Sequence, residues 1–231
     1  MTNLLRFATL TCFSLCLSDA SAAKAKPAPE LSPDLNLTIR LYDYASLDAD
    51  TLENAQTEFN QIFGKSGISV SWLGCATTME ETKSNRACAS RMGPTDMVLR
   101  ILPPEMHPDT SSETTTFGVA LVGPDVKLPR TASVLLKNVE RLGEGRSQRM
   151  DYSVVHRSFS DQVFLGKLLG YVMAHEVGHL LLNSGKHAGA GIMRGDWDVN
   201  VTARALTRQL HFNSRELKRI RTELRRRNTS S

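Results

Sequence analysis

Apolar and polar residues alternate through Leu35-Asn36-Leu37-Thr38-Ile39-Arg40-Leu41-Tyr42, a period of two that predicts a strand. Over residues 47–63 the period changes: Leu52, Ala55, Phe59, Ile62 and Phe63 recur at helical spacing, and Gly64 with Gly67 ends the helix. Ile68-Ser69-Val70-Ser71-Trp72-Leu73 alternates again. A strand–helix–strand unit of this kind implies parallel strands joined by a right-handed crossover. Residues 74–95 are polar and read as a loop. Residues 97–102 form a third strand, stopped by Pro103 and Pro104, and residues 107–116 are turn-like. Residues 117–122 and 132–136 are a fourth and a fifth strand, while residues 141–157 carry no decisive period.

The longest apolar pattern follows. A helix is predicted from Ser160, as N-cap with Asp161 in the first turn, to Leu182. Val163, Phe164, Leu165, Leu168, Leu169, Val172, Met173, Val177, Leu180 and Leu181 surround it, which marks a buried helix. Gly166, Gly170, Ala174 and Gly178 fall four apart, a stripe along which another element can approach the axis. Interior glycine costs about 1 kcal/mol relative to alanine, so the stripe implies compensating close packing. Near the C-terminus, Asn213-Ser214-Arg215-Glu216 reads as a helix start with Glu216 at the third helical position, and the helix runs through Arg227.

Composition adds boundaries. With 231 residues, 41% hydrophobic and 23% charged, the chain suits one globular catalytic-size domain, an α/β (α+β) fold over residues 35–228. A sheet-bearing part spans about 35–182 and a C-terminal part about 183–228. Arg6, the apolar residues 7–17 and the small residues Ala20-Ser21-Ala22-Ala23 read as a signal peptide over residues 1–23, so a secreted or periplasmic protein is expected. Residues 24–34 are a Pro/Ala-rich linker. Cys12 and Cys16 fall inside the signal, which leaves Cys75 and Cys88 as the expected disulfide of an oxidising compartment.

The net charge of +4 is uneven: residues 204–231 hold nine Lys/Arg against Glu216 and Glu223, a balance of +7, and everything before sums to −3. A basic end of this kind is either a solvated helix or a weak contact for an anionic surface. No aromatic residue alternates with these charges, so nucleic acid is not an expected partner. A monomer is expected.

The chemistry lies in His175-Glu176-Val177-Gly178-His179. Two histidines four apart on a helix leave the same face and can hold one metal ion. Glu176 stands beside that face, a place suited to general-base work on water rather than to ligation. Within an apolar helix, such groups are costly unless engaged. The third ligand comes from elsewhere: His187 is the leading candidate, with Asp196, Asp198 and Glu216 as competitors. Three imidazoles leave one tetrahedral position open, the arrangement of a catalytic Zn2+ site with one ion.

The run from His175 to Met193 resembles the metzincin zinc peptidases, in which HExxH is followed by a third histidine and a methionine-containing turn. More narrowly, it is similar to a group of secreted bacterial proteins that share HE[IV]GHLLL, a third histidine eight residues on, and Gly-Ile-Met. The resemblance implies a metzincin-like fold, ligands at His175, His179 and His187, Glu176 as general base and Met193 in the Met-turn. It also implies a protein or peptide substrate, held along the fourth strand as an antiparallel edge. Metzincins usually place the third histidine six residues after the second with a glycine between, whereas here the interval is eight and Leu182 takes the glycine's place. The turn must therefore be built differently, with Asn183 and Gly185 as candidates. Trp197 is expected either to wall the pocket or to be buried in the C-terminal part.

The resulting expectation is a secreted zinc-dependent endopeptidase. The alternatives are a secreted zinc-containing binding protein, its metal site structural or vestigial and its basic helix docked on an anionic surface, and a zinc hydrolase acting on a non-peptide amide.

Overall fold

In the computed structural model, residues 35–106, 116–126, 128–147 and 157–229 are described. The signal peptide, the linker and the turn-like residues 107–115 lie outside them. β1 (Leu35–Asp43) leads into α1 (Ala49–Gly64), whose N-cap Asp48 accepts a hydrogen bond from the Thr51 amide at 2.8 Å. β2 (Ile68–Gly74) returns parallel to β1, as the alternating pattern requires. β3 (Asp96–Leu102), β4 (Gly118–Ala120) and β5 (Thr131–Leu135) complete a five-stranded sheet of order β2-β1-β3-β5-β4. All pairs are parallel except β4, an edge strand antiparallel to β5.

Several expectations need correction. The loop expected over residues 74–95 contains α2 (Met79–Ser84), capped by Thr78 and with no buried residue, so apolar periodicity could not reveal it. The fifth strand ends at Leu135, and α3 (Leu136–Ser147) begins at once, extending into the stretch that carried no decisive period. The fourth strand is only three residues long.

The histidine-bearing helix α4 spans Arg157–Leu182 and so starts three residues before Ser160, which is not its N-cap. The small-residue stripe acts as the sequence predicts. A Cβ on Gly166 would fall 2.5 Å from Cβ of Asn54 and 2.7 Å from the Thr51 carbonyl, and one on Gly170 would fall 2.6 Å from the Ala55 carbonyl. α1 and α4 therefore lie backbone to backbone. Leu37, Ile39 and Leu41 of β1, Met97, Leu99 and Ile101 of β3, and Ala132 and Val134 of β5 join them in one core.

The other face of β1 carries Arg40, buried, which donates to Asp96 at 2.8 Å and to the carbonyls of Cys88, Ser90 and Arg91. That guanidinium fastens the segment closed by the Cys75–Cys88 disulfide, whose Cα atoms are 5.5 Å apart. α5 (Val199–Leu206) and α6 (Ser214–Thr229) finish the chain. α6 begins with a reciprocal cap: Asn213 Oδ1 accepts from the Glu216 amide at 2.9 Å, and Glu216 Oε2 accepts from the Asn213 amide at 2.8 Å. Among the described residues, no helix is long and apolar enough to cross a membrane.

Candidate metal centre

His175 and His179 lie on the buried stretch of α4 and are 8% and 5% exposed, whereas His187 is exposed on the loop beyond the helix. The chain turns back through a pair of closing hydrogen bonds. The Ser184 amide donates to the His179 carbonyl at 3.2 Å, and the Asn183 amide to the Leu180 carbonyl at 3.4 Å. Asn183 takes the left-handed conformation at φ 43° that such a helix end requires. Gly185, the other candidate, is not among the residues with positive φ.

The loop brings His187 against the helix. One ligand atom from each of His175, His179 and His187 lies within 4.8 Å of the others, and the ring centroids are 4.6, 5.3 and 5.0 Å apart. Bonds of about 2.0–2.1 Å to a tetrahedral ion place two ligand atoms about 3.4 Å apart, so these separations suit a single ion.

The tautomers of the two buried rings follow from their neighbours. His175 Nδ1 stands 2.7 Å from the Ile192 carbonyl oxygen, and His179 Nδ1 stands 2.6 Å from the Ser184 carbonyl oxygen. A carbonyl only accepts, so each Nδ1 carries the hydrogen and each neutral ring presents a bare lone pair at Nε2. Those two Nε2 atoms face each other at 2.9 Å. Two lone pairs at that separation repel unless a cation lies between them. Burial disfavours the imidazolium: it lowers His175 to about 4, against the Ile192 hydrogen bond and with help from His179 and His187, and it lowers His179 as well. A metal ion is the cation that the paired lone pairs suit.

The Ile192 carbonyl is fixed by its own turn. The Arg194 amide donates to the Gly191 carbonyl at 3.3 Å, Gly191 has φ 82°, and the Ile192 amide donates to the His211 carbonyl at 3.0 Å. Met193, in the same turn, is buried and fills the notch above Gly178, where a Cβ would meet its Sδ at 2.6 Å. His187 lies on Gly195, whose added Cβ would fall 2.9 Å from the ring. Trp197 is buried and stands edge-on to His175 at 6.0 Å, its indole nitrogen donating to the Arg194 carbonyl at 2.9 Å. The ring of Phe117 lies 6.1 Å from it between centroids.

Glu176 is 4% exposed and points toward β4, and its carboxylate makes no hydrogen bond to another described residue. Burial pushes its carboxyl up to about 8. The competing ligands have other work. Asp198 caps α5 by accepting from the amides of Asn200 and Val201, each at 2.9 Å, and Glu216 closes the cap of α6. Neither these nor Asp196 belongs to the three-histidine group. Sequence reasoning missed Gly118, Gly195 and the carbonyls of Ser184 and Ile192, because backbone groups and glycines carry no chemical label.

No protein-family model matches the chain, and no curated protein matches it either. Among solved structures the chain is similar to the archaemetzincin of Methanopyrus kandleri. The TM-score is 0.48 and the identity 13%, over 84% of this chain and 99% of that one.

Proposed function

We propose that this chain is a secreted zinc-dependent endopeptidase, with His175, His179 and His187 as ligands of one zinc ion. The observation that carries the reading is the 2.9 Å approach of two buried Nε2 lone pairs whose partner nitrogens are committed to carbonyls. When bound, zinc supplies Lewis-acid chemistry, polarising a carbonyl and lowering the pKa of water.

The remaining work belongs to side chains of the protein. Glu176, dry and without a hydrogen-bond partner among the described residues, takes a proton from the attacking water and delivers it to the departing amine nitrogen. β4 is an edge strand next to Glu176, and beside it Val119 and Leu121 are 39% and 54% exposed. An extended peptide adds to such an edge through main-chain hydrogen bonds, which brings its backbone beside the carboxylate. Met193, packed against Gly178 in the turn that orients His175, takes the part of the Met-turn. A structural site closes its coordination with a fourth protein ligand, and among the described residues the group holds three, which speaks for an open position.

The test is a diverse peptide mixture incubated with the zinc-loaded chain, with and without chelator, and read by mass spectrometry. Glu176→Gln is expected to keep zinc stoichiometry and melting temperature while cleavage disappears. Unchanged cleavage by that variant would remove the mechanism.

A further inference from the structure

The peptidase reading leaves the basic C-terminus unexplained, and the structure divides its cations into two sets. The first set is spent inside the molecule. Arg227, 2% exposed, donates to Glu223 at 2.8 Å and to the carbonyls of Pro129 and Leu180. Arg221 donates to the Ser66 carbonyl at 2.8 Å, and Arg208 pairs with buried Glu58 at 3.1 Å.

The second set is arranged on α6 itself. At about 100° per residue, Arg215, Lys218, Arg219, Thr222, Arg225 and Arg226 fall within an arc of roughly 120°. All six are exposed. The buried residues Glu216, Ile220, Leu224 and Arg227 lie on the opposite side, so this arc is the outermost surface of the helix. It holds five cations and no acid, and one of the five, Arg219, also donates to the Leu182 carbonyl at 2.7 Å. Glu216 is taken up by the helix cap, and Glu223 sits on the flank, where it binds Arg226 and Arg227. Arg215, Lys218 and Arg225 have no carboxylate partner among the described residues. Like charges held in a row without acidic neighbours repel one another, and an anionic counter-surface relieves that repulsion.

We infer that the outer face of α6 docks on an anionic phospholipid bilayer. The face extends roughly 16 Å from Arg215 to Arg226, and with Arg219 bound to the Leu182 carbonyl and Arg226 to Glu223, it is Arg215, Lys218 and Arg225 that are left to meet a plane of headgroups together. It presents no apolar side chain, and the contact is therefore electrostatic and peripheral rather than inserted. α6 contains no aromatic residue that could stack on a base, which favours lipid over single-stranded nucleic acid. This inference stands apart from the zinc chemistry and does not depend on it.

The experiment is cosedimentation of the full chain with vesicles of phosphatidylcholine, with and without phosphatidylglycerol, at low and high salt. Binding is expected only with phosphatidylglycerol and is expected to fall as salt rises. The combined variant Arg215→Glu, Lys218→Glu, Arg225→Glu is expected to bind at least about a hundredfold more weakly. The same three positions changed to Gln provide a milder set, with circular dichroism to verify that α6 is intact. Lys83→Glu, Arg86→Glu and Arg91→Glu together change the charge equally elsewhere on the surface and are expected to bind far more tightly than the α6 Glu variant, with the salt response of the wild type. Equal binding to neutral vesicles overturns the inference, as does wild-type binding by both α6 variants. A preference for a single-stranded oligonucleotide over the anionic vesicles, lost in the same variants, overturns it in favour of nucleic acid.

Discussion

Gly118 lies directly against the side chain of Glu176. A Cβ added to the glycine would sit 2.6 Å from both Cγ and Cδ of the glutamate, and 2.6 Å from the Ser133 carbonyl as well. The carboxylate is thus packed across bare strand backbone, with β5 behind it.

Gly118→Ala is therefore expected to push Glu176 out of line. Hydrolysis should fall more than about tenfold, a barrier increase of about 1.4 kcal/mol. Zinc affinity should change much less, since the atoms nearest the added Cβ belong to Glu176 and Ser133 rather than to a ligand. Peptidase kcat/KM measured beside zinc competition with a chromogenic chelator checks this, and full activity in the variant would show that the glutamate position is not restrictive.

Zinc is expected to stabilise the fold by binding only the native state. At a free concentration about a hundredfold above Kd, the gain is about 2.7 kcal/mol. Thermal unfolding with zinc and with chelator should differ for the wild type, whereas His175→Ala and His179→Ala should unfold at the same temperature under both conditions.

His187 has no carbonyl partner among the described residues and is positioned by packing on Gly195. Gly195→Ala is expected to weaken zinc binding by about tenfold, the scale of effects seen when a group supporting a ligand is altered. The melting temperature in chelator should move little, because the ring is exposed. Isothermal titration of zinc into the two proteins distinguishes these outcomes.

Glu223 gives a pH prediction at a site remote from the histidines. Hydrogen bonds from Arg226, at 2.7 Å, and then Arg227, at 2.8 Å, hold its carboxyl below the ordinary 4.5, against partial burial. A value depressed in the folded state contributes stability that is present above the unfolded value and is lost as pH falls through the folded one. Glu223→Gln should therefore unfold at a lower temperature than the wild type near neutrality, where it strands buried Arg227. That gap should close as pH drops below 4.5. A gap of constant size across the acid range would mean that the carboxylate charge contributes nothing.

Much of this was legible in the chain because burial leaves a period. The alternation in residues 35–42 placed β1, and the glycines at 166 and 170 announced the approach of α1. The capping pattern at Asn213 and Glu216 is legible in the sequence, and the cap it forms removes Glu216 from the ligand candidates. α2 was not legible, because a helix with no buried side leaves no apolar stripe. Nor was the division of the C-terminal arginines: Arg226 and Arg227 are adjacent in sequence, yet one is exposed and the other is almost wholly buried. Only the rotation of α6 against the core separates them. Gly118 was hidden for a different reason, since its importance comes from a neighbour 58 residues away that no local pattern connects to it.

The turn that orients His175 is tied through Ile192 to the carbonyl of His211. The carbonyl that sets His179 follows it by only 5 residues, whereas the one that sets His175 follows by 17 and depends on a segment further on. The ring of His175 is therefore fully fixed only once residue 211 has joined the fold. A fragment ending before residue 211 is expected to hold zinc more loosely than the chain that includes it.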